Sequence, residues 1–176
     1  MPAERYADAQ PFIQRIADWA AAKPLSRIYS QKGGWEGYAQ VELAMYLPDN
    51  LGGSSTREEQ VYADGERADI NYTPTDAPEF FIELKCQSLL QDSGNLDSFA
   101  DRILSDMIKC DRGHTARAPG YETMPALAIG IGVDIAGVNR AIQIFSNPNF
   151  QYASRTYWTQ AYDNQNNPMI FYAVFP

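Results

Sequence analysis

Two charged side chains interrupt an apolar stretch at residues 80–88, FFIELKCQS. Side chains in a strand alternate between its two faces, so Glu83 and Lys85 share one face, together with Gln87. Burying an ion pair brings no general gain in stability, because desolvation of the two charges roughly cancels their attraction. Two explanations for the Glu-x-Lys pair stay open: a strand end at which both groups reach solvent, or a functional site.

Another carboxylate, Asp69, lies in the strand predicted just before this one, at residues 67–73 (RADINYT). Antiparallel pairing across the short connection would bring Asp69 next to Glu83. Two carboxylates repel each other unless a cation joins them, and oxygen ligands favour a hard ion such as Mg²⁺ or Mn²⁺. A lysine such as Lys85 can then position a water molecule and offset charge on a phosphate. These three residues would suffice for metal-assisted hydrolysis of a phosphodiester.

Asp69 followed by Glu83-Leu84-Lys85 resembles the D…(D/E)-x-K motif of the PD-(D/E)xK nuclease superfamily, although Ala68 stands where that motif often has proline. The resemblance extends over residues 35–133. It implies a restriction-endonuclease-like fold with the core order α-β-β-β-α-β. It also implies that Asp69 and Glu83 are metal ligands and that Lys85 orients the attacking water.

Four further residues enter through the same resemblance. Glu42 matches a glutamate on the helix before the first strand, where it would help to hold the metal, and Gln87 matches a glutamine that would steady the site. An exposed helix glutamate and a structural glutamine are the simpler explanations for these two. Asp106 and Lys109 match an Asp-x-x-Lys pair on the helix after the motif, but their spacing also suits a helix-surface ion pair, which we favour.

Hydrophobic periodicity predicts the elements that would position these residues. Pro24 should end the first helix and Pro48 the second, whose apolar side would include Tyr38, Val41 and Met45. Asp64-Gly65 indicates a hairpin turn. Helices are predicted at 8–23, 35–47, 96–111 and 137–145. Strands are predicted at 58–63, 67–73, 80–88, 124–133 and 169–175, with a glycine break at 33–34 and a loop at 146–168.

This order predicts one α/β domain over residues 1–176, with a mixed central sheet, flanking helices and an extra N-terminal helix. The resemblance implies that its core is restriction-endonuclease-like. Cys86 should face the core, and the only other cysteine is Cys110. Two cysteines without a C-x-x-C pair do not make a zinc site. The single histidine, His114, is expected to be a solvent-exposed loop residue.

The net charge of −8 argues against broad, non-specific nucleic-acid binding, which depends on lysine and arginine. A basic run that contains Arg112, His114 and Arg117 is the best local source of positive charge. Aromatic side chains near the C-terminus could stack on bases or pack a loop onto the core, and both explanations stay open. They are Tyr152, Tyr157 and Trp158.

The sequence therefore predicts a Mg²⁺-dependent nuclease, with Mn²⁺ as an alternative ion and DNA rather than RNA as the substrate. No membrane association is predicted. The first residues lack an apolar signal segment, so a cytoplasmic protein is expected, and contact-dependent delivery as a toxin stays open. The alternative function is a catalytically silent nuclease fold that acts as a binding, immunity or regulatory protein for a basic partner, which the sequence pI of about 4.6 favours.

Overall fold

A computed structural model describes residues 9–32, 34–161 and 168–176. Residue 8 of the first predicted helix, Gly33 and residues 162–167 of the predicted loop lie outside this part of the chain. Six helices and six strands are described. The helices are α1 (Ala9–Ala21), α2 (Leu25–Ile28), α3 (Glu36–Leu51), α4 (Leu89–Asp92), α5 (Ser98–Cys110) and α6 (Ile135–Phe145). The strands are β1 (Ser54–Glu59), β2 (Ala68–Thr73), β3 (Phe80–Cys86), β4 (Ala126–Gly132), β5 (Thr156–Gln160) and β6 (Met169–Phe175).

All six strands belong to one mixed sheet in the order β1-β2-β3-β4-β6-β5. Only β3 and β4 are parallel, while every other neighbouring pair is antiparallel. A parallel pair needs a crossover connection, and α5 provides it. The prediction of an α/β domain with a mixed sheet between helices is confirmed. Within the described residues, none of the helices has the length and apolar character needed to cross a membrane.

Hydrophobic cores lie on both faces of the sheet. On one face, α1 to α3 cover Ile82, Leu84 and Cys86 of β3. On the other face, α5 and α6 cover Phe81 of the same strand. This division follows the predicted alternation along β3 and confirms that Cys86 faces the core. Cys86 and Cys110 are both free and lie in opposite cores.

The second predicted helix differs from α3 in length and in its buried side. It continues through Pro48 to Leu51, because the hydroxyl of Ser55 donates a hydrogen bond to Ala44 O. That carbonyl is the one that Pro48, which lacks an N–H, leaves without its helical donor. Gly52, with φ of 76°, follows the helix. The buried side of α3 consists of Ala39, Gln40, Leu43 and Leu47, whereas Tyr38, Val41 and Met45 are exposed.

Two predictions about strands were wrong. The first strand is Ser54–Glu59 rather than 58–63, so Asp64-Gly65 lies in a longer loop and not in a tight hairpin. The predicted loop at 146–168 contains β5, which pairs with β6 at the edge of the sheet. The polar, tyrosine-rich composition of this segment obscured a strand whose pairing partner lies later in the chain.

Gly130 of β4 allows α5 to pack closely against the sheet. A Cβ atom at this position would lie 2.2 Å from Ile103 Cδ1 and 2.7 Å from Ile103 Cγ1. Both distances are far below van der Waals contact, so any side chain here would force α5 outward or Ile103 into another rotamer. The absence of a side chain at residue 130 therefore sets the distance between α5 and the strands β3 and β4.

Replacing Gly130 with valine should destabilise the protein by about 1–3 kcal/mol, the usual cost of overpacking a core. Urea unfolding followed by circular dichroism measures this change. Gly37→Ala is the matched control, because no atom of the described residues lies within 4 Å of the Cβ it would add, and alanine favours a helix. Equal stability of Gly130→Val and wild type would contradict the close packing of α5 on β4.

Candidate metal centre

The register of β2 and β3 places Asp69 beside Glu83. Ile70 pairs with Ile82, and one further step along each strand leads to the two carboxylates. The backbone pairing of β2 with β3 ends at Ile70 and Ile82. Beyond this pair, the Leu84 N–H donates to Asp69 Oδ2 at 2.7 Å. The side chain of Asp69 thus takes the place of a backbone acceptor where the strands separate. The predicted approach of Asp69 to Glu83 is present in the structure.

Helix α5 adds a third carboxylate, Asp106. One oxygen from each of Asp69, Glu83 and Asp106 lies within 4.8 Å of the others. Glu83 and Asp106 are buried, with 1% and 5% of their surface exposed. Such a set of hard oxygen atoms fits a divalent cation such as Mg²⁺ or Mn²⁺. Among the described residues, Asp106 Oδ2 has no hydrogen-bond partner of good geometry, and its contact in the cluster is the ion pair with Lys85 Nζ at 3.4 Å.

The interpretation of Asp106 and Lys109 as a helix-surface ion pair was wrong. Asp106 is buried and faces Lys85, while Lys109 Nζ lies 3.2 Å from Glu83 Oε2. The sequence contains a signal that would have placed Asp106 correctly. Phe99, Ile103 and Cys110 are buried in α5, and Asp106 continues their spacing of four, three and four residues.

Lys85 is held by an acid from the beginning of α3. Its Nζ donates to Glu36 Oε1 at 3.0 Å, and Glu36 Oε2 accepts from the Cys86 N–H at 3.1 Å. The indole N–H of Trp35 donates to Gln87 O at 2.7 Å, which fixes the start of α3 against the end of β3. The helix acid that reaches Lys85 is therefore Glu36.

Glu42, the acid predicted for this position, lies elsewhere. Its carboxylate is 2.5 Å from the amine of Lys23, beyond the end of α1, and that contact lowers the pKa of Glu42. Six residues separate Glu36 from Glu42, which is about 9 Å along a helix axis and a different side of the helix. The structure therefore does not bring Glu42 into the carboxylate cluster.

Gln87 joins the ends of two strands. Its Oε1 accepts hydrogen bonds from the backbone N–H groups of Val133 and Asp134, both at 2.7 Å, and the residue is 1% exposed. These contacts connect the end of β3 to the segment that follows β4. They support the structural explanation for Gln87 over a direct part in the site.

Burial dominates the electrostatics of the cluster. It raises the pKa of Glu83 to about 8, with a further contribution from the nearby charge of Asp69. Burial likewise raises the pKa of Asp106 to about 7, although Lys85 partly offsets the effect. Burial also raises the pKa of Asp69. Desolvation would lower the pKa of Lys85, but the charges of Asp106 and Glu36 outweigh it, so this pKa is raised.

Tyr62 and Lys109 bind both oxygens of Glu83. The Tyr62 hydroxyl donates to Oε1 at 2.6 Å, and Lys109 Nζ donates to Oε2 at 3.2 Å. Tyr62 is fully buried, and burial raises its pKa, so its hydroxyl remains a donor at neutral pH. Neither Tyr62 nor the pairing of Lys109 with Glu83 was predicted from sequence, because Tyr62 was assigned to a strand at 58–63 that ends at Glu59, and α5 is distant along the chain.

The basic run after α5 is only partly available to a ligand. His114 is exposed, as predicted, with 55% of its side-chain surface accessible. Arg117, in contrast, is buried and donates to the carbonyl oxygens of Lys109 and Cys110. Its guanidinium also lies 4.5 Å from the centroid of the Phe81 ring. Arg117 therefore binds the end of α5 and is not free to contact a phosphate.

The aromatic side chains near the C-terminus lie apart from the cluster. Tyr152 is 5% exposed, so it packs into the core, and stacking on bases was the wrong alternative for it. Tyr157 and Trp158 are more exposed, but they lie on β5, three strands away from β3. Three strand spacings correspond to about 14 Å.

Comparisons with known proteins give this chain no relatives. No protein-family model matches it, and searches of curated proteins and of solved structures found no match. The described residues form a mixed six-stranded α/β domain with a buried carboxylate cluster.

Without divalent ions, the free energy of unfolding should fall as pH rises from about 4 to 8. The unfolded chain loses the Glu83 and Asp106 protons near their ordinary pKa values, whereas the folded chain holds them until about pH 7–8. The unfolded state therefore binds fewer protons within this window, and a loss of several kcal/mol is expected.

Urea unfolding in EDTA at pH 5, 7 and 8.5 measures this loss. Asp106→Asn should make the decline shallower, because it removes one of the two shifted groups. Asp97→Asn is the matched control, since Asp97 is paired with Arg140 and lies outside the cluster. An unchanged pH dependence in Asp106→Asn would contradict the raised pKa of that carboxyl group.

Proposed function

We propose that this protein is a metal-dependent phosphodiesterase of the PD-(D/E)xK superfamily, with DNA as its expected substrate. The observation that supports the proposal most directly is the convergence of Asp69, Glu83 and Asp106 on one point, with Lys85 beside them. Buried carboxylates that repel each other favour a divalent cation between them. The donor set contains only oxygen, which suits Mg²⁺ or Mn²⁺.

The order of elements supports the same proposal. From α3 through β1, β2, β3 and α5 to β4, the chain follows the α-β-β-β-α-β order of a restriction-endonuclease-like core. The motif carboxylates lie on the second and third strands of that core, where the two strands separate. Both the order of elements and the position of the carboxylates are what the proposed family would have.

Each residue of the site has a separate role in the proposal. Asp69, Glu83 and Asp106 would hold the ion, which supplies a Lewis acid that stabilises charge on the phosphate and lowers the pKa of a bound water. Lys85 has a raised pKa, so its amine acts as a hydrogen-bond donor to water or phosphate and not as a base. Glu36 orients that amine through its 3.0 Å contact.

Cleavage of circular and linear DNA and of RNA, with Mg²⁺, Mn²⁺ or EDTA, tests the proposal. Asp69→Asn and Lys85→Met should each reduce the rate at least 100-fold, because the first weakens the metal site and the second removes a donor aimed at the developing charge. Asp97→Asn is the matched control and should cut like wild type. If both site variants keep the wild-type rate, the assigned roles are wrong.

Glu36→Gln and Glu42→Gln should have different effects. The first variant loses the charge that holds Lys85, so the cleavage rate should fall about tenfold or more. The second variant alters the pair with Lys23, which lies outside the cluster, and should cleave at the wild-type rate. The same DNA assay compares the two. A larger loss in Glu42→Gln than in Glu36→Gln would restore the sequence-based assignment.

A catalytically silent protein that binds a basic partner is the second candidate, and the net charge of −8 favours it. Its distinguishing result is an absence of cleavage with either ion, together with a stoichiometric basic protein in a pull-down. Cleavage that disappears in EDTA and in Lys85→Met would decide against it.

A further inference from the structure

The amine of Lys109 contacts three oxygen atoms at the edge of the carboxylate cluster. Its Nζ lies 3.2 Å from Glu83 Oε2, 3.3 Å from Glu66 Oε2 and 3.3 Å from Arg67 O. The same amine sits 4.8 Å from the centroid of the Tyr62 ring. The roles proposed above make no use of this lysine, although it contacts one of the three carboxylates directly.

A divalent ion that binds Glu83 Oε2 would compete there with the amine of Lys109. In the ionised form of Glu83, both carboxylate oxygens accept hydrogen bonds, Oε1 from Tyr62 and Oε2 from Lys109. An ammonium group and a divalent cation that shared Oε2 would repel each other at close range in a buried site. One of the two cations must therefore leave Oε2 when the other binds.

A second carboxylate is in place to receive the amine. Glu66 already lies 3.3 Å from Lys109 Nζ, and 60% of its side-chain surface is exposed. Arg67 O offers another acceptor at the same distance. A change of side-chain rotamer can thus move the amine away from Glu83 while it keeps two partners, and α5 itself need not move.

We propose that Lys109 is the resident counter-ion of Glu83, and that a divalent cation displaces its amine onto Glu66. Lys109 therefore sets the metal affinity of the cluster by competing with the ion. This inference rests on the proposed metal site and deepens it. Lys109 is a positioning residue here, since it acts through Glu83 and Glu66 and does not touch the reacting atoms.

Mn²⁺ binding to the full chain, measured by calorimetry and by electron paramagnetic resonance, tests the inference without any cleavage assay. Lys109→Met keeps the aliphatic stem over Tyr62 and removes the competing charge, so its Kd for Mn²⁺ should be about tenfold lower than that of wild type. Lys109→Arg keeps a cation and should stay closer to wild type than Lys109→Met does.

Glu66→Gln provides the second arm of the experiment. Removing this carboxylate leaves the displaced amine with a poorer acceptor, so Mn²⁺ should bind several-fold more weakly. In a Lys109→Met background the same change should have no effect, because no amine remains to be received. Such a double-mutant cycle isolates the coupling between Glu66 and Lys109 from any effect of Glu66 alone.

The outcomes separate this inference from the metal proposal. If wild type binds Mn²⁺ while a folded Lys109→Met binds it equally or more weakly, Lys109 does not compete, and the metal site still stands. If neither protein binds Mn²⁺, the metal site is wrong and the role of Lys109 with it. Should Lys109→Met fail to fold, unchanged affinity in Glu66→Gln would overturn the inference by itself.

Discussion

The burial of several carboxylates at one place is the constraint on which the rest of the structure depends. The place where β2 and β3 separate gathers more acidic groups than desolvation would allow without compensation. Three positive side chains from β3 and α5 provide this compensation, each through contacts of 3.7 Å or less. The acids are Glu36, Asp69, Glu83 and Asp106, and the cations are Lys85, Arg102 and Lys109.

The scaffold holds these charges together through close packing of α5 on the sheet. Gly130 lets the helix approach β4, and Arg117 fixes its last turn by binding the carbonyl oxygens of Lys109 and Cys110. The guanidinium of Arg117 packs on Phe81 at the same time. Two inward side chains of one helix are thereby directed at β3: Asp106 toward Lys85, and Lys109 toward Glu83.

The cluster lowers the stability of the chain at neutral pH. Glu83 and Asp106 retain protons up to about pH 8 and 7, which means that burial opposes their charged forms. A fold has no packing reason to gather such groups, and apolar residues would fill the same volume at lower cost. Natural proteins tolerate this kind of destabilisation most often at functional sites, which is why the cluster is the place to look for activity.

Sequence by itself determined the strand face that holds the site. The period of two along β3 separates Glu83 and Lys85 from Ile82, Leu84 and Cys86 whatever the rest of the chain does. The short connection to β2 then limits the partners of Glu83 so strongly that Asp69 could be predicted. Local geometry sufficed for these residues, because strand alternation and hairpin pairing act over a few residues.

Tertiary structure alone decided which helical residues lie next to Asp69, Glu83 and Lys85. Glu36 and Glu42 are both acids of α3, and the choice depends on where Trp35 fixes the helix against the end of β3. Apolar spacing in α5 includes Asp106 among the buried positions, but it does not say which side chains Asp106 and Lys109 meet. The packing of α5 on the sheet decides that Asp106 faces Lys85 and that Lys109 faces Glu83.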